Sequence, residues 1–157
     1  MKKIIICMAL FVGLNTAAFA EPQQSVEYAD KTVPQLVDIM PSGSSIGDLH
    51  SKKGLLRSSI GGPVIGEFFT QSTLVYLKDD SNRTTWSFFE EHVYPDGSIY
   101  KMDLVQIDSG QVPKVGHKHE GAIIGGTGKY SGIRGSYALE VLEGGVTKVI
   151  NTYWLGQ

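Results

Sequence analysis

The sequence predicts an all-β fold, with an eight-stranded antiparallel barrel ahead of a two-sheet sandwich. Three observations carry that expectation. The 157 residues include 19 glycines without a three-residue period, so collagen is excluded and the glycines read as turn and bulge residues. Short apolar runs alternate with clusters of Gly, Asp, Asn and Ser. Outside residues 33–40, no helical pattern runs for three turns.

Charge and composition narrow the partners. Lys and Arg number 14 against 16 Asp and Glu, a formal net charge of -2. A nucleic-acid-binding surface usually declares itself by a basic excess, and none is present. With 10% aromatic residues the chain is too rich in ring side chains to stay disordered.

The first 20 residues have the three parts of a secretory signal peptide. Lys2 and Lys3 form a basic head, residues 4–14 an apolar run, and Ala18-Phe19-Ala20 a small-x-small cleavage site before Glu21. The run of 11 residues is short of the roughly 20 needed to cross a bilayer. The expected product is periplasmic or secreted, without a membrane anchor. Cys7 is the only cysteine and lies within the apolar run, not after it where a lipid anchor would need it. The processed chain therefore holds no disulfide, cysteine nucleophile or thiolate metal site.

Residues 21–43 read as a lead-in punctuated by Pro22, Pro34 and Pro41. Residues 33–40 suit a helical turn or two, or a loosely packed arm. The barrel domain is expected over residues 44–157. Its strand candidates are 44–50, 55–60, 64–77, 84–94, 98–107, 117–124, 135–142 and 146–155, with a bend or bulge near Gly66. Turn signals at 78–82, 95–97, 108–110 and 143–145 separate them. Tyr94-Pro95-Asp96-Gly97-Ser98 is the sharpest hairpin candidate.

Alternation suggests one face of each strand on the core. Tyr100, Met102 and Leu104 share a face, opposite Lys101 and Asp103. Tyr137, Leu139 and Val141 share another, as do Val149, Tyr153 and Leu155, with Ile150 and Trp154 opposite. The last strand thus looks covered on both faces, by a barrel interior and by an oligomer contact. Closure into a barrel would remove the edge strands.

Residues 123–137 are rich in glycine: Gly125, Gly126, Gly128, Gly132 and Gly135. This is not a phosphate loop, because Lys129 is followed by Tyr130 and no long helix follows. A conformational corner is the better reading. Gly125, Gly126 and Gly128 are expected to supply positive φ or close approach, with Tyr130 and Ile133 packing back on the domain.

The stretch Gly125-Gly126-Thr127-Gly128-Lys129-Tyr130-Ser131-Gly132-Ile133-Arg134-Gly135 resembles the signature of the allene oxide cyclase and dirigent group. Ile46-Gly47-Asp48 resembles the start of that group's sheet, and Gly61-Gly62-Pro63-Val64-Ile65-Gly66 its second strand region. The resemblance spans about residues 44–155. It implies an eight-stranded antiparallel barrel of calycin-like shape with a hydrophobic cavity, assembled as a dimer or trimer. It also implies isomerisation or cyclisation of a small apolar or phenolic molecule. Asp48-Leu49-His50 stands where the plant cyclases carry glutamate-x-asparagine, so only Asp48 matches as an acidic cavity residue.

Acid–base chemistry in a barrel needs an inward carboxylate or histidine. The candidates are Asp48, Glu67, Glu90 and His119. Tyr76, Tyr100, Tyr137 and Trp154 are the candidate cavity aromatics, alternatively plain core. His117 and His119 fall on one face of an extended strand at a spacing that suits two imidazoles on one metal. Glu90 and His92 form a second such pair on a run expected to neighbour theirs. The alternatives are a polar strand end and a proton-transfer histidine. No cofactor is expected. Three function classes stay open: a cyclase or isomerase, a non-catalytic binder, and a structural or host-surface interaction protein.

Overall fold

A computed structural model describes residues 21–38, 45–77, 83–108 and 113–156. The expected signal peptide with Cys7, the end of the lead-in, the turn 78–82 and the turn residues 109–110 lie outside the described residues.

The described chain is almost entirely strand: β1 Gln23–Ala29, β2 Gln35–Val37, β3 Leu49–Arg57, β4 Val64–Leu77, β5 Arg83–Tyr94, β6 Gly97–Asp108, β7 Lys118–Gly126, β8 Arg134–Val141 and β9 Thr147–Trp154. Two short 3-10 turns, Gly128–Tyr130 and Glu143–Gly145, flank β8. From β3 to β9 each strand pairs antiparallel with the next, β9 returns to β1, and β1 closes on β3. Eight strands thus form a closed barrel, with β2 an added strand on the edge of β3. Closure leaves those eight with no free edge of backbone donors and acceptors.

Two strands fall in the segment expected as lead-in. β1 is hard to read as a strand because its inward positions include a charge: Glu27 and Ala29 are buried while Val26 is 41% exposed. The expected helical turns over 33–40 are absent from the described part. Gln35–Val37 is extended and bonds to Leu49–Ser51 of β3. An isolated helix of two turns barely sustains itself, whereas a strand beside an open edge gains ladder bonds at once. The runs expected separately at 44–50 and 55–60 are largely one strand, β3, with the glycine at 54 inside it.

β4 carries register shifts around Ile65, next to Gly66, and around Val75, so it bends twice. The hairpin after β5 forms as expected, with Tyr94 opposite Gly97 and the turn on Pro95 and Asp96. That register sets Glu90 opposite Lys101 and Phe88 opposite Asp103.

The glycine corner closes one end of the barrel. Gly128 takes φ +56 and Gly132 φ +75, but Gly125 and Gly126 do not have positive φ. Gly126 is instead required by crowding. A Cβ there would stand 2.6 Å from the Ser98 carbonyl oxygen, 2.7 Å from that of Tyr130 and 2.9 Å from Ile133 Cγ2. Tyr130 and Ile133 do pack inward, with Ile99, Ile123, Tyr137, Val149 and Tyr153 as the main apolar core.

Candidate functional site in the barrel lumen

The core cluster fills the end of the barrel near the glycine corner, and a cavity of about 770 Å³ occupies the rest. Every barrel strand contributes to its wall, and β2 adds Leu36 at the rim. The apolar wall includes Phe68, Trp86, Phe88, Val105, Leu139 and Val149. The polar wall includes Asp48, His50, Lys52, Thr70, Glu90 and His119. A few polar groups on an apolar wall of this size suit a small organic molecule.

Beneath the cavity lies a buried ionic group. Glu27 of β1 reaches across to β5, β6 and β9. Its Oε1 accepts from His92 Nδ1 at 2.7 Å, Lys101 Nζ at 3.1 Å and Asn151 Nδ2 at 2.9 Å. Its Oε2 accepts from the Tyr94 hydroxyl at 2.5 Å. His92 Nε2 is 3.1 Å from Glu90 Oε2, so each ring nitrogen faces a carboxylate. Two acids and two bases, all buried, thus balance one another.

The titration directions follow. Burial alone would raise Glu27, but Lys101, His92 and the hydrogen bonds from His92 and Tyr94 bring it well below the ordinary 4.5. Burial would also raise Glu90. The hydrogen bond to His92 and the charges of His92, Lys101 and His119 outweigh it, and Glu90 too stands below 4.5. Burial and Lys101 press His92 down, yet Glu27 and the bonds to both carboxylates lift it above 6.5. Both acids are therefore carboxylates at neutral pH, and Glu90 presents one on the cavity wall.

A second polar set lies beside the first. Asp103 Oδ2 accepts from the Tyr137 hydroxyl at 2.7 Å and lies 2.9 Å from His119 Nε2. The Tyr137 ring lies against Gly121, where a Cβ would stand 2.5 Å from Tyr137 Cε1. A glycine mid-strand on β7 is thus a seat for an aromatic ring. On the opposite wall the His50 ring lies 4.4 Å from Trp86, centroid to centroid, and the indole donates to Thr84 Oγ1 at 2.9 Å.

The expected site residues divide. Asp48 and Glu90 line the cavity, and Asp48 Oδ2 accepts from the backbone of Ser45 at 2.7 Å. Glu67 does not reach it. It is half-buried on the outer face of β4, out of phase with the inward Phe68 and Thr70. Tyr137 points inward, as expected, although it packs beneath the cavity rather than lining it. Tyr76 and Trp154 are 54% and 43% exposed, and Tyr100 is half-buried on the outer face. β6 is turned over relative to expectation. Lys101, Asp103 and Val105 are buried, while Met102 and Leu104 are 50% and 68% exposed.

The His117 and His119 ring centroids lie 5.5 Å apart, with His117 just ahead of β7, but β6 separates β7 from the strand of Glu90 and His92. Among the described residues no group of three or more His, Cys, Asp or Glu is placed to hold a metal. Sequence reasoning missed His50, Lys52, Phe68, Trp86 and Phe88 as wall residues and Glu27 and Lys101 beneath them. The alternation Thr84, Trp86, Phe88, Glu90, His92 along β5 was the available signal for most of that wall.

Fold and cavity together define a closed antiparallel barrel with a ligand-sized lumen. No family model and no curated protein matches the sequence. Solved structures do match. A pyocyanin demethylase superposes with TM-score 0.66 at 17% identity, over 84% of this chain and all of that one. The Diels-Alderase AbmU from Streptomyces koyangensis gives 0.64 at 15%, over 86% of this chain and 64% of that one. The pterocarpan synthase dirigent protein GePTS1 gives 0.60 at 12%, over 96% of this chain and all of that one. The chain has the fold of the dirigent and cyclase barrels.

Proposed function

We propose that this protein is exported and binds a small apolar or phenolic molecule in its barrel lumen, where the Glu90 carboxylate assists isomerisation or cyclisation. The observation that carries the reading is the cavity of about 770 Å³, with Phe68, Trp86 and Phe88 on its wall and the Glu90 carboxylate at its side. Glu90 is backed by His92, and His92 by Glu27, so a proton taken up at Glu90 is shared along a hydrogen-bonded chain. The apolar wall holds a flexible substrate in one folded shape, which is how a barrel with few polar groups directs ring closure. The likeness to structures named as a Diels-Alderase and a pterocarpan synthase dirigent protein supports ring chemistry of this kind.

A non-catalytic binder uses the same lumen without the proton step. One experiment separates the readings from a structural role. The chain has two tryptophans, Trp86 on the cavity wall and Trp154 outside. In a Trp154→Phe variant the remaining emission reports the lumen alone. Titration with naphthalene and phenolic probes should quench it saturably. Emission unchanged at probe saturation would rule out occupancy of the lumen and leave the interaction role.

A further inference from the structure

The registers of three adjacent strands put Lys52 opposite Thr70 and Thr70 opposite Glu90, so these residues form one row across the wall. All three line the cavity. Lys52 and Glu90 are two strand spacings apart, or about 10 Å between backbones. Both side chains are long, and Glu90 draws on Lys52 electrostatically, yet they form no ion pair. Lys52 makes no hydrogen bond or ion pair among the described residues. The Thr70 hydroxyl makes none either. Glu90 uses Oε2 on His92, and its Oε1 has no hydrogen-bond or ion-pair partner among the described residues. A cation, a hydroxyl and a carboxylate oxygen therefore converge on one stretch of lumen wall with bonding capacity to spare. The rows on either side bring Phe68 below and Phe88 above.

Resting on the lumen-binding reading, we propose that the Lys52–Thr70–Glu90 row is a subsite for an aromatic hydroxyl group of the ligand. A phenol has one O–H to donate and lone pairs to accept. It donates to Glu90 Oε1 and accepts from Lys52 Nζ and from Thr70, while its ring lies between Phe68 and Phe88. An ether of the same ring has no proton for Glu90. A carboxylate would satisfy Lys52 but set a second negative charge beside Glu90, which is unfavourable in a desolvated site. The row thus selects a hydroxyl over both.

The test is calorimetric titration of the full chain with 2-naphthol, 2-methoxynaphthalene and 2-naphthoate. The three share one ring system and differ in the group offered to the row. The naphthol should bind about tenfold or more tighter than the other two. Lys52→Met should remove most of that advantage without weakening the methoxy compound, and Lys52→Arg should restore part of it. Thr70→Val should cost a smaller share. Lys52 is half-buried and holds no structural bond, so these variants should fold. Equal affinity for naphthol and its methyl ether, or tightest binding of naphthoate, would overturn the hydroxyl subsite while leaving the lumen as a binding site. An equal loss for all probes in Lys52→Met would also overturn it. If neither naphthol nor its ether binds or quenches Trp86, the lumen reading falls, and the subsite with it.

Discussion

Replacing Glu27 by glutamine removes the charge that the buried group is organised around. The carboxylate is 3% exposed and takes hydrogen bonds from His92, Lys101, Asn151 and Tyr94. After the change, Lys101 and His92 remain buried with Glu90 as the one remaining carboxylate among them. The new amide also points a donor at the Tyr94 hydroxyl or at Lys101. Removing one partner of a buried pair costs about 3–5 kcal/mol. The lower end applies here, since His92 can shed its proton and relieve part of the imbalance. About 3 kcal/mol lowers the thermal midpoint by roughly 10 °C in a domain of this size. Differential scanning calorimetry of the Glu27→Gln, Lys101→Met and double variants reads the effect directly. The double variant removes both charges, so it should be more stable than the sum of the single losses predicts, by about 1–3 kcal/mol. A Glu27→Gln midpoint within 2 °C, or strict additivity in the double variant, would show that the ionic group does not hold the barrel closed.

Three further outcomes are expected. Gly126→Ala should lower stability by about 1–3 kcal/mol, because its Cβ meets two backbone carbonyls that cannot swing aside; an unchanged midpoint would refute the crowding. Stability should peak between about pH 4.5 and 6.5 and fall on both sides. The Glu27 contribution is present above 4.5 and lost as pH falls through its depressed folded value. The His92 contribution is complete below 6.5 and lost as pH rises through its raised one. A midpoint flat across pH 3–9 would contradict both. Intact-mass measurement of exported protein should give a chain starting at Glu21, and a product that retains Met1 would count against export.

The barrel was legible because its evidence is local. The turn at Pro95 and Asp96, the glycine corner and the inward runs of β8 and β9 each announce a strand boundary or face without reference to the rest. The polar lumen was not legible in the same way. Alternation tells which residues share a face, but assigning that face to the interior assumes an apolar inside and a polar outside. β6 breaks the assumption: Lys101 and Asp103 are buried, and Met102 and Leu104 face out. β1 breaks it too, with Glu27 in and Val26 out. Such faces are affordable only in company. Lys101 is tolerable because Glu27 comes from a strand distant in sequence, and Asp103 because Tyr137 and His119 do.

One local clue did point the right way. Counting back from the hairpin pair Tyr94 and Gly97 sets Glu90 opposite Lys101, a cross-strand pair of opposite charge. The same count sets Trp86 opposite Val105 and Phe88 opposite Asp103, so the face that holds Lys101 also holds two aromatic rings. An exposed face gains little from Trp86 and Phe88, whereas a lumen that binds a ring compound needs both kinds of residue side by side. Register therefore separates the two possible orientations of β6 where hydropathy alone chooses the wrong one. The mixed face is the one turned into the barrel, and the apolar face of Phe89, Met102 and Leu104 is left on the outside.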